Sequence, residues 1–196
     1  QRPACPLQCG AVADLVVGPG NSYLSALAFD RRRGFLYAAD SSQHAVLSVD
    51  VRGVGAGSSA LASEAMWGAL GTPGDSDGAA YWARLRSPAG LVLDAERHIL
   101  FASDSGNGKV RALFLASMSV ATVIHSLNNP RAITLNSRSD ELYVAEFGAG
   151  HVRRLNLGSS WPSSGASLES FGVFVRPVGL AADPARNSLY VAERGR

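Results

Sequence analysis

The residues best suited to chemistry are carboxylates that recur at one place in a repeated pattern. Asp40, Asp104, Glu146 and Glu193 each end a short apolar run. A ring of such groups can hold a hard cation such as calcium. The same groups can instead accept backbone N–H bonds from the turn that follows. A second acidic set, Asp75-Ser76-Asp77-Gly78, sits in the Gly-rich stretch 71–80. Its alternating carboxylates match the start of a calcium loop, but no bidentate Glu follows them. A turn capped by Asp75 and Asp77 is the simpler expectation. Calcium is the one cofactor these acids leave open, and no other is expected.

Other reactive groups are sparse or scattered. His44, His98, His125 and His151 share no spacing that points at one metal, and a catalytic zinc needs three convergent ligands. No Gly-x-Ser-x-Gly elbow accompanies the many serines. No catalytic residue is therefore assigned. Arg111, Arg153 and neighbouring Arg154 fall in one column of the repeat. They can form a basic stripe for an acidic partner, although strand arginines more often lie solvated with their stems over apolar neighbours. Trp67, Tyr81, Trp82 and Trp161 read as packing anchors or as exposed contact residues. Trp161 is the better contact candidate, because Ser159-Ser-Trp-Pro-Ser-Ser164 has the composition of an exposed loop. The expected contact residues are thus Trp161, Asp75, Asp77, Arg111 and Arg153.

What positions these groups is an internal repeat. Four segments align without a gap, beginning at Leu24, Pro88, Pro130 and Pro177. Each opens with a short apolar run closed by Asp30, Asp94, Asn136 or Asp183. Runs bounded by turn formers are strands. A second strand follows at Phe35–Ala39, Ile99–Ser103, Leu142–Ala145 and Leu189–Ala192, and a third at Ala45–Val49, Lys109–Phe114 and His151–Leu157. A more variable fourth is expected at Ala65–Leu70, Val120–His125 and Gly172–Val175. Four short antiparallel strands, recurring every ~40–65 residues, give an all-β β-propeller. A blade cannot bury both faces alone, so its neighbours must do it.

The motif Pro-x-Gly-Leu-x-x-Asp…Gly-Asn-x-x-Val-Arg resembles the NHL repeat family. The best copy runs from Pro88 to Leu115, with Gly90, Asp94, Asp104, Gly106, Asn107, Val110 and Arg111 in place. The stretch from Gly71 to Pro88 resembles that family's inter-blade segment. The resemblance spans roughly residues 12–196. It implies a six-bladed ring and favours a structural role for the acidic column. It says little about function, since one fold hosts many. Some propellers of this kind are metal-dependent lyases or lactonases with a site at the ring axis, which supplies the enzymatic alternative.

The resulting division is a Cys-containing segment at 1–10 and a propeller at 11–196. Its blades fall at about 24–70, 88–125, 130–175 and, in part, 177–196. So few blades leave the ring open, and open blades expose strand edges and apolar faces. Further chain beyond Arg196, or another subunit, is expected to complete it. Ala11–Val17 reads as an outer strand. Gln1 in place of Met marks a removed leader or a fragment. Cys5 and Cys9, close together outside the repeats, fit disulfide bonding, to each other or to another chain, in a secreted or surface protein. A net charge of +2 gives no reason to expect nucleic acid, and no apolar run is long enough to span a membrane. The favoured function is a non-catalytic module for protein–protein interaction or self-assembly. A glycan-binding propeller is a further alternative, suited by the tryptophans.

Overall fold

A computed structural model of the chain describes residues 22–52, 63–136, 140–158 and 167–195. Cys5, Cys9, Trp161 and the Ala11–Val17 segment lie outside them. The described residues build four sheets. The first is β1 (Leu24–Asp30), β2 (Phe35–Asp40), β3 (Ala45–Asp50) and β4 (Ser63–Trp67), in that order. In the second, the two-residue strand β5 (Gly78–Ala79) is followed by β6 (Pro88–Asp94), β7 (Ile99–Asp104), β8 (Lys109–Phe114) and β9 (Ser119–Ile124). There β5 caps the outer edge of β9, giving the order β5-β9-β8-β7-β6. The third sheet is β10 (Pro130–Asn136), β11 (Glu141–Glu146), β12 (His151–Asn156) and β13 (Ser167–Val173), again in order. The fourth holds β14 (Pro177–Asp183) and β15 (Ser188–Glu193). The all-β propeller fold expected from the repeats is the fold observed.

The first turn of each blade shows why the sequence folds this way. Asp30 Oδ1 accepts the N–H groups of Arg32 and Arg33 at 3.0 and 3.1 Å. Asp94 does the same for Glu96 and Arg97, and Asp183 for Ala185 and Arg186. A short carboxylate thus replaces the missing backbone acceptors of the turn. Each turn closes on a left-handed residue: Gly34, His98, Asp140 or Asn187. The next hairpin does so at His44, Gly108 and Gly150. Two of the four histidines are therefore turn residues.

Blades pack face to face, with β1, β6, β10 and β14 side by side as the innermost strands. The second strand of each blade also packs on the first strand of the next. Two apolar clusters result. Between the first two blades Tyr37, Ala39, Val46 and Trp67 meet Leu91, Leu100 and Leu113. Between the next two Phe101, Val110 and Ala112 meet Ile133, Leu142 and Leu155. Trp67 is accordingly a buried packing residue, edge-on to Tyr37 with centroids 6.1 Å apart. The fourth strand of the third blade begins at Ser167, five residues before the expected start, because it runs the full length of β12.

Candidate interaction surface

Three of the expected contact residues converge. Arg111, on β8, is only 1% exposed, so it is not the solvated strand arginine anticipated from sequence. Its Nε donates to Asp104 Oδ2 at 2.9 Å, and its two terminal nitrogens donate to Asp77 and Asp75. Lys109 Nζ adds bonds of 2.7 Å to both Asp75 oxygens. Asp77 also accepts the Thr122 N–H at 2.9 Å. Buried charge survives only when paired and hydrogen-bonded in this way. Two cations, Arg111 and Lys109, face three carboxylates. Lys109 holds the Asp75 carboxyl below the usual range, chiefly by its hydrogen bond. Burial pushes the Asp104 carboxyl up. The arrangement pins the 71–78 stretch onto the second blade.

The rest of the acidic column is likewise engaged. Glu146 accepts Asn128 N–H at 2.8 Å and a bond from Arg153 Nε. Arg153 thus repeats the Arg111–Asp104 pairing one blade on, away from Asp75 and Asp77. Glu193 accepts the Val175 N–H. Asp40 Oδ1 takes the N–H groups of Tyr23, Ser42 and Gln43. Its Oδ2 is buried without a partner, because the matching column position is Leu47. These carboxylates hold turns and inter-blade segments. Among the described residues no three His, Cys, Asp or Glu side chains gather as metal ligands. His44 Nδ1 accepts the Ser87 N–H at 3.1 Å, and His125 sits beside Ser126 at the surface.

The inner strands enclose a cavity of about 770 Å³ with Ser25, Ser87, Ser105, Asn129 and Arg131 in its lining. Away from it, just after β5 at the outer edge of the second sheet, Tyr81 and Trp82 stand 65% and 69% exposed, edge to face with centroids 5.2 Å apart.

The least expected exposures are in the first, third and fourth sheets. Leu27 and Phe29 occupy the β1 positions that Leu91 and Leu93 fill on β6, yet they are more than half exposed. Tyr190 occupies the β15 position of Tyr37, Phe101 and Tyr143. Those three are 4%, 0% and 6% exposed, whereas Tyr190 is 56% exposed. On the third blade Phe171, edge-on to Tyr143, and Val173 are also exposed. Alignment of the repeats contained this column, but only stacking shows which copies of it are covered among the described residues.

Comparison with known proteins supports the fold. No family model matches the chain, and no curated protein matches it in sequence. Solved structures do match. A chain in a crystal structure of a nidogen/laminin complex aligns over 88% of this chain and 72% of its own, at TM-score 0.55 and 15% identity. A Bacteroides uniformis protein described by its crystallographers as a 6-phosphogluconolactonase candidate aligns over 88% of this chain, at TM-score 0.63 and 14% identity. An auxiliary nutrient binding protein from Bacteroides thetaiotaomicron aligns over 73%, at TM-score 0.55 and 15% identity. The chain spans 48% and 37% of those two bacterial proteins. Identities this low speak for the fold alone.

Among the described residues no helix is long and apolar enough to cross a membrane.

Proposed function

We propose that the chain is a protein-interaction module built of NHL-type blades. One observation carries this reading: Tyr81 and Trp82, in the segment that enters the second blade, stand 65% and 69% exposed with ring centroids 5.2 Å apart. Exposed aromatic side chains of this kind are the anchors that interfaces bury. The fold neighbours include both a structure of a protein–protein complex and a named lactonase candidate, so the fold is compatible with assembly and with catalysis. Interaction is favoured by the exposed aromatic pair. A secreted or surface location, supported by Cys5 and Cys9 standing together outside the repeats, belongs to the same reading.

Sedimentation velocity over a range of concentrations tests it. The expected result is mass that grows with concentration and falls back when Tyr81 and Trp82 are both replaced by Ser. A chain that stays a monomer at every concentration would sink the reading.

A further inference from the structure

The inner strands of the second and third blades are entered in the same way. A left-handed residue, Ser87 or Asn129, precedes Pro88 or Pro130. The residue after the proline falls at a break in register, between Pro88 and Gly90 on β6 and between Pro130 and Ile133 on β10. A bulge of this kind re-aims a side chain out of the ladder. Ser87, Ala89, Asn129 and Arg131 all line the cavity that the inner strands enclose. Of the described blades, only the third puts a charge there: Arg131 stands where the second has Ala89 and the first Ser25. Its guanidinium is exposed and lies 4.3 Å from the centre of the Phe147 ring.

Charge around this mouth is one-sided. In the same two blades Arg97, Arg111, Arg153 and Arg154 each meet a carboxylate. Arg86 and Arg131 are exposed and meet none among the described residues. Arg86 lays its stem across Gly106, where an added Cβ would lie 2.5 Å from Arg86 Cγ, and Gly106 lines the same cavity. Next to it, Ser105 Oγ donates to the Pro130 carbonyl, the residue before Arg131. Two uncompensated guanidiniums thus flank the Ser105–Gly106 turn. No carboxylate stands among the described residues of the lining. Asp104 and Glu146, the nearest acids in sequence, are already held by Arg111 and Arg153.

We propose that this mouth is a binding site for a small organic oxyanion, a carboxylate or phosphate on a molecule of metabolite size. The site is separate from Tyr81 and Trp82 and does not rest on the interaction reading. A guanidinium stacked on an aromatic ring keeps its N–H edge outward, and that edge fits two oxygens of one anion. The Asn129 amide and the Ser87 hydroxyl supply further donors in the same lining. Arg86 adds positive charge from the other side of the turn. A concave site with cations and no facing acid concentrates anions and repels cations.

The test is an NMR titration of the full 196-residue chain with inorganic phosphate and, separately, with succinate, at ionic strength held constant with sodium chloride. Saturable shifts are expected at the Ser105, Gly106 and Asn129 amides and at the Arg131 side-chain N–H. Saturation by phosphate alone, by succinate alone or by both upholds the site and says which oxyanion it takes. Arg131→Gln should weaken binding about tenfold, the scale of one lost charge-assisted pair, and Arg86→Gln should weaken it by less. Both side chains are exposed, so each variant should keep the wild-type melting temperature, and lost binding is then not lost folding. Arg33→Gln, an exposed arginine in the β1–β2 turn, should leave binding unchanged. Shifts that grow linearly without saturating overturn the proposal, as do equal shifts with chloride alone or affinity indifferent to Arg131→Gln. Mass in the ultracentrifuge reports the interaction reading independently, so either can fail while the other stands.

Discussion

Arg111 lies wholly within the second blade with its Nε 2.9 Å from Asp104 Oδ2, and both residues are removed from water. The pair spans one hairpin, since β7 ends at Asp104 and Arg111 is the third residue of β8. Its other donors reach Asp75 and Asp77, so one guanidinium joins a blade to the segment that enters it. Taking away the cation leaves a buried carboxylate uncompensated. Arg111→Met is therefore expected to cost about 3–5 kcal/mol in urea unfolding. Adding Asp104→Asn should recover part of that loss. A single substitution that unfolds at the wild-type midpoint would contradict the account.

The first blade offers the control. Asp40 has the place of Asp104, but Leu47 has the place of Arg111, and Asp40 Oδ2 has no partner. Asparagine keeps the Oδ1 acceptor for the Tyr23, Ser42 and Gln43 amides. Asp40→Asn is expected to cost about 1 kcal/mol or less, the scale of a neutral hydrogen-bond change. Asp104→Asn alone should cost several times more, because it breaks an ion pair. Equal losses in the two unfolding curves would show that the arginine adds nothing.

The inner strands β6 and β10 approach closely at Gly90. A Cβ there would lie 2.3 Å from the Arg131 carbonyl oxygen and 3.0 Å from Ser103 Oγ. Backbone cannot yield as a flexible side chain does, so β6 and β10 must separate. Gly90→Ala is expected to cost about 1–3 kcal/mol, and the melting temperature reports it. An unchanged melting temperature would mean that the blades are looser than this contact requires.

Acid should destabilise the chain from the carboxylate end of the scale. Hydrogen bonds from Arg52 hold Asp50 at about 2, against an ordinary 3.8. Lys109 holds Asp75 below the same reference. A carboxyl depressed in the folded state binds its proton more readily when unfolded. Its contribution is complete above the unfolded value and disappears as pH falls through the folded one. Asp104, raised by burial, works with the opposite sign and is more favourable as pH falls. Arg52→Gln should return the Asp50 titration, read by NMR, towards the ordinary range and flatten the stability slope between about pH 4 and 2. A titration unmoved by the substitution would remove Arg52 as the cause.

Residues that bond locally announce themselves in the chain, and residues that bond at a distance do not. Strand ends at Asp30, Asp94 and Asp183 are legible because a short side chain does the turn's bonding locally. The acidic column is legible as a column for the same reason. Burial of Arg111 is not, because its partners Asp75 and Asp77 lie more than thirty residues away and reach it only when a loop folds back. The two-residue strand β5 is hidden likewise, since Gly78 and Ala79 have no strand pattern and are ordered by the edge of β9. What local sequence cannot express is which copy of a column lacks a covering blade.

That difference can be measured directly at Phe101 and Tyr190, one column in two environments. Phe101 is sealed between the second and third blades, and truncating it removes its transfer energy and leaves a cavity. Phe101→Ala is expected to cost about 3–5 kcal/mol. Tyr190 is 56% exposed, so Tyr190→Ala should change unfolding of the isolated chain by no more than about 0.5 kcal/mol. A large cost at Tyr190 would place a covering element over it, contrary to its exposure.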